Sequence, residues 1–220
     1  MINVCFELND AVSIIVNNSS PEGHLPMDLS TNNTKNIFNQ ARDDISVTAQ
    51  MVLLCSWHTI KEVSLLFGLL VTKSLKHDAN DSMELLTNDQ IIKIGKHLVT
   101  LLCETKHRGA FEQAHVGFQQ LCTRLWRVKN SPLSDLPKLW LHQILVAITG
   151  FAQDNLKLCA TRRSAGVPFM IQALLSSEPR LRKNQATKAF LSVMNILLGF
   201  TQLQSSDHLH DKETLHELLN

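Results

Sequence analysis

The chain reads as an all-α protein, and more narrowly as an α-solenoid of HEAT- or armadillo-like helical pairs. Three observations carry that reading. Apolar residues recur at three- and four-residue spacing along most of the 220 residues, as in Phe111, Ala114, Phe118, Leu121, Cys122 and Leu125. Strand-type alternation and Asn-Gly hairpin signals are missing. Seven or eight such segments follow one another across short connectors, several of them apolar on more than one side, which favours stacked antiparallel pairs. The repeats are too degenerate to fix a period, so a compact helical bundle is the rival architecture.

The elements follow in order. A first helix is expected from about Asn3 to Val16. The stretch from Asn17 to Asn36 holds Pro21, Gly23, Pro26 and many Asn and Ser, and reads as a loop. Helical periodicity resumes near Ala41 and runs to about Leu75, enough for two helices. Thr87-Asn88-Asp89-Gln90 is a capping box that opens a helix to about Lys106. Arg108-Gly109 marks a break before a helix to about Val128. A loop from Asn130 to Pro137 precedes helices over roughly Lys138 to Gln153, Arg162 to Ser176, and Arg180 to Phe200. The result is three regions: 1–40, an N-terminal helix and polar loop; 41–201, the helical-repeat domain; and 202–220, a polar tail. The apolar run Met194 to Phe200 lies near the chain end and offers a face that another repeat would cover, as in a fragment of a longer protein.

Composition narrows the classes. The hydrophobic fraction of 44% supports a packed core, and the formal net charge is +1. That charge is unevenly spread. From Lys157 to Lys188 seven basic residues face one acid, Glu178, giving +6, so the remainder is −5. Such a cluster fits a localised polyanion or an acidic partner, or else a solvated helix face. The five cysteines are widely spaced and mostly sit in apolar runs, as reduced thiols of a cytoplasmic protein do. No signal peptide is visible. The apolar stretch from Val52 to Val71 is interrupted by His58, Lys61 and Glu62, so no membrane is expected.

Catalytic patterns are lacking. No two of the eight glycines form Gly-x-Gly, so no cofactor is expected, S-adenosylmethionine included. There is no phosphate-binding Gly-x-x-x-x-Gly-Lys-Ser/Thr and no Gly-x-Ser-x-Gly elbow. Cys103 and His107 share a helical spacing but lack a second ligand pair, so they read as a core thiol and a helix C-terminal cation, with no metal site expected. Cys55 and His58 would need a positioned base to form a nucleophile; packing of Cys55 and Trp57 explains them better.

One run stands apart: Cys159-Ala160-Thr161-Arg162-Arg163-Ser164-Ala165-Gly166-Val167-Pro168-Phe169. Two guanidinium groups lie at the expected start of a helix, where unpaired N–H groups and the positive dipole end favour an anion. The plain alternative is water or a neighbouring carboxylate. Pro168 belongs in a first turn, with Ser164 as N-cap, or at a bend in a helix starting near Thr161. Gly166 permits close approach of a backbone or a ligand. Arg108 caps the carbonyls of the preceding helix or reaches a partner.

This run, the stretch Trp57 to Gly68, and His107-Arg108-Gly109-Ala110-Phe111-Glu112 together resemble the central conserved domain of the thyroid adenoma-associated (THADA) family, in the same order and over about Ala49 to Glu178. The resemblance implies a non-catalytic partner of an FtsJ-type tRNA ribose 2′-O-methyltransferase, cytoplasmic, that selects the first nucleotide of the anticodon loop. Arg162, Arg163, Ser164, Ala165, Gly166 and Pro168 match the family's Arg-Arg-Ser-Ala-Gly-Leu-Pro motif, with Val167 in place of Leu. They become the expected RNA-binding residues, assisted by Arg108. By the resemblance, relatives usually carry Arg where this chain has His58. The rival function is a protein-binding helical scaffold without RNA.

Overall fold

A computed structural model describes residues 1–20, 23, 49–75, 85–129, 131–149, 166–180 and 185–203. Every regular element among them is helical: α1 (Ile2–Asn17), α2 (Ala49–Ser74), α3 (Asn88–Glu104), α4 (Arg108–Leu125), a 3-10 turn (Pro132–Asp135), α5 (Leu136–Thr149), α6 (Val167–Ser177) and α7 (Lys188–Leu203).

Local signals explain several boundaries. At α3 the capping box is complete: Gln90 N donates to Thr87 Oγ1 at 3.3 Å, and Thr87 N donates to Gln90 Oε1 at 3.0 Å. Ser131 caps the 3-10 turn by accepting from Leu133 N, with Pro132 in the first position, where no N–H is needed. At α7, Thr187 Oγ1 accepts from Phe190 N, and Glu178 Oε1 accepts from Ala189 N. Helix α7 therefore starts at Lys188 and not at Arg180. Positions 185–187 are non-helical, and the hydroxyl of Thr187 supplies the start signal.

The expected pair of helices between Ala41 and Leu75 is, over its described part, one uninterrupted helix of 26 residues. Nothing from Ala49 to Ser74 breaks a helix: Pro is absent, and Gly68 sits where a neighbour comes close. By length and composition α2 could cross a membrane despite Lys61 and Glu62. Here it is a core helix. Leu53, Ile60, Val63, Phe67 and Val71 are buried, and α2 packs chiefly on α4, then on α1.

The α2–α4 contact is unusually close. A Cβ placed on Gly117 would collide with the backbone carbonyl of Ser64, and one on Gly68 with the Gln120 side chain and the Gly117 backbone. The pairs Trp57 with Gly109, Ser64 with Gly117, and Gly68 with Gln120 rise together along both chains, so α2 and α4 run parallel. The same holds for α4 and α6. Phe111 meets Phe169 near their starts, while Thr123 meets Ser177 and the Trp126 indole N–H donates to Leu174 O at 3.0 Å near their ends.

Helices α1 and α3 run the opposite way. Phe6 packs on Phe67, whereas Gly23, beyond the end of α1, accepts from Gln50 and lies against His107. The three-residue link 105–107 turns α3 back into α4. The Asn9 amide nitrogen lies 2.8 Å from His97 Nε2. An amide nitrogen can only donate, so this imidazole accepts as a neutral ring. Burial accordingly holds His97 below the usual range. Helix α5 adds Trp140, which meets Phe118 and covers Gly95.

Candidate functional site

The parallel course of α2, α4 and α6 brings Trp57, on α2, level with the N-termini of α4 and α6. All three sequence runs singled out above reach that level, so residues far apart in sequence share one region. The positive dipole ends of α4 and α6 lie there together.

The described part of the arginine motif is firmly seated. Gly166 is the N-cap of α6, and Pro168 falls in the first turn, where its missing N–H costs nothing. The N-cap of α6 is thus Gly166 and not Ser164, which corrects that expectation; the helix expected from Thr161 falls on residues outside those described. Gly166 is buried against α3: a Cβ there would lie 2.6 Å from Leu102 O and 3.0 Å from Leu102 Cα. Its lack of a side chain admits a backbone. Val167 and Met170 are buried, and Phe169 packs on Phe111 and edge-on to His115. Arg162, Arg163, Ser164 and Ala165 lie outside the described residues.

At α4 the observed roles differ from those expected. His107 is a helix N-cap, not a C-terminal cation. It is buried, its Nδ1 accepts from Ala110 N at 3.3 Å, and burial holds its pKa below the usual range, so the ring is neutral. Arg108 is the first residue of α4 and does not cap the helix before it. Its Nε donates to Glu112 Oε1 at 2.7 Å, one turn on, while its side chain is 75% exposed. Exposure leaves most of the guanidinium able to meet an outside anion, with part of its charge offset by Glu112. Gly109 is helical and makes no turn; a Cβ on it would come within 3.2 Å of Trp57 and His107.

Trp57 is half-buried. Its ring stacks on His107 with centroids 5.5 Å apart at 20°, and the exposed His58 ring tilts over it at 4.0 Å. Sequence reasoning noted these residues separately but had no signal for their union. Cys55 is exposed, not packed as expected. Cys5, Cys103 and Cys122 are buried, and burial raises the Cys103 thiol to about 12, so it is inert core. Among the described residues, no group of three or more His, Cys, Asp or Glu could hold a metal ion.

These features define an all-helical module with its distinctive residues gathered where α4 and α6 begin, level with Trp57 of α2. The chain belongs to the THADA/TRM732, DUF2428 family, whose sequence profile matches residues 1–218. The match thus reaches well past the span Ala49 to Glu178 that carried the resemblance. The chain is 38% identical over 199 residues, 82% of its length, to the tRNA (32-2′-O)-methyltransferase regulator THADA of Drosophila melanogaster. It is 36% identical over 254 residues, 94% of its length, to the protein of that name from Chlorocebus aethiops. It is 31% identical over 177 residues, 80% of its length, to the tRNA (32-2′-O)-methyltransferase regulator trm732 of Schizosaccharomyces pombe. The chain spans only 11% to 13% of the length of these relatives. No solved structure gives a significant match.

Proposed function

We propose that this chain serves as a non-catalytic module that helps position tRNA for 2′-O-ribose methylation in the anticodon loop by a partner methyltransferase of the FtsJ type, in the cytoplasm. The names of its relatives, each a regulator of a tRNA (32-2′-O)-methyltransferase, support the class of function. The observation that carries the positional part is the common level of Trp57 on α2 and the starts of α4 and α6. It gathers Arg108, the seated Gly166-Val167-Pro168 segment and the N-termini of α4 and α6, and Arg162 and Arg163 precede α6 in the sequence. Phosphate oxygens are the anions such an end suits. Two opposed sets of helices, α2, α4 and α6 against α1 and α3, are what an α-solenoid reading requires.

The mechanism is placement. Guanidinium groups grip phosphates through paired hydrogen bonds, and recognition of structured RNA rests largely on shape and backbone. The test is Arg162→Ala with Arg163→Ala in the full-length protein. tRNA methylation should fall while helix content holds, and tRNA affinity should lose part of its salt dependence. Unchanged methylation at normal protein levels would refute the role.

A second reading, a protein-binding scaffold, is favoured by one specific observation. On α7, Phe190, Leu191, Met194 and Leu198 are all exposed, at 42%, 52%, 37% and 53%. That is an apolar face suited to a protein surface. Binding of a partner that is indifferent to salt, and unaffected by loss of the arginines, would support it.

A further inference from the structure

We infer that the ring stack His107–Trp57–His58 is a platform on which one unpaired nucleobase of an RNA strand stacks, against the outer face of His58; this rests on the RNA-binding reading above. The stack is ordered from the inside outward. His107 is fixed by its bond from Ala110 N and lies close to Gly23 and Gly109, where a Cβ on either glycine would come within 3.2 Å of its ring. Trp57 is half-buried upon it, and His58 tilts over Trp57 at 4.0 Å with its own ring exposed to solvent. The inner rings are therefore held before any ligand arrives, and little further ordering is needed to extend the stack by one more ring.

The surroundings suit a nucleotide rather than an isolated aromatic group. Arg108 follows His107 directly and is 75% exposed, so a cation lies within reach of a phosphate flanking the stacked base. Lys61 lies one turn beyond Trp57 and His58 on α2, with its ammonium 3.4 Å from Glu62. The stack is also at the level where α4 and α6 begin. Aromatic platforms beside cationic grooves bind single strands with little preference for base identity, because every base presents a π-face.

The test uses the 220-residue chain and a short single-stranded oligoribonucleotide carrying one 2-aminopurine, beside the same strand with an abasic site at that position. Binding should quench the 2-aminopurine. His58→Ala should weaken binding of the base-bearing strand by roughly tenfold and abolish the quench. His58→Tyr should restore both, since it restores a ring. The abasic strand should bind the wild type and His58→Ala alike. If both strands bind in a salt-dependent way but His58→Ala changes nothing, or His58→Tyr fails to restore the quench, the platform is overturned while the RNA-binding reading stands. If neither strand binds even at low salt, both are overturned.

Discussion

Replacing Gly117 by Ala tests the crossing of α2 and α4 most directly. On helix propensity alone the substitution should stabilise, because Ala exceeds Gly by about 1 kcal/mol inside a helix. The structure opposes this. The new methyl would overlap the Ser64 carbonyl oxygen and come within 2.9 Å of Ser64 C, closer than real Cβ atoms approach other heavy atoms. Neither atom can step aside as a side chain would, since both belong to the backbone of α2. Relief requires the whole helix to retreat, disturbing the packing of its buried residues Ile60, Val63 and Phe67. Overpacking a tight core costs about 1–3 kcal/mol, and a rigid neighbour selects the upper part of that range. A cost of about 3 against a gain of about 1 leaves a net loss of about 2 kcal/mol. Urea unfolding of the 220-residue chain, followed by circular dichroism in the helix band, should show a lower midpoint at unchanged slope. A midpoint equal to or above that of the wild type would mean the two helices do not approach this closely, and the parallel register would lose its main support.

Three further outcomes are expected. Thr87→Ala removes one half of the capping box on α3 and should cost about 1 kcal/mol, measured by the same unfolding curve, with Thr87→Ser nearly neutral. Stability should decline as pH falls below 6.5: His97, His107 and His115 are all held lower than that by burial, so the unfolded chain takes up protons first, and the contribution present above 6.5 is lost on acidification. The decline should lessen in His107→Asn, whose amide oxygen can still cap α4. Under native conditions a maleimide should modify Cys55 well before Cys5, Cys103 or Cys122, as peptide mapping would show; rapid labelling of Cys103 would contradict its burial.

Much of the fold was legible because its signals are local. The Thr87 capping box, the Phe111 to Leu125 stripe and the first helix needed only neighbours in sequence to be read. The position of Gly166 against another backbone was open to inference because glycine beside Pro168 has few other uses. The roles of His107 and Arg108 were not legible. A histidine after a cysteine-bearing helix gives no sign whether it ends that helix or begins the next; the link 105–107 decides, and its turn depends on how α3 and α4 pack. The exposure of Cys55 depends on which face of α2 meets α4, and an α2 apolar nearly all round hides that choice. The union of His107, Trp57 and His58 bridges two helices and left no trace in spacing.

Gly166 rests on the main chain of Leu102, and this has a consequence for how the molecule can vary. The contact is made by the main chain of Leu102 and by its Cδ atom, and Leu102 is itself fully buried, so both positions are held: 102 by the core around its side chain and 166 by the backbone it faces. One methyl group added at Gly166 would lift the start of α6 away from α3, so a change carrying no charge would move the point at which the segment bearing Arg162 and Arg163 joins the helix.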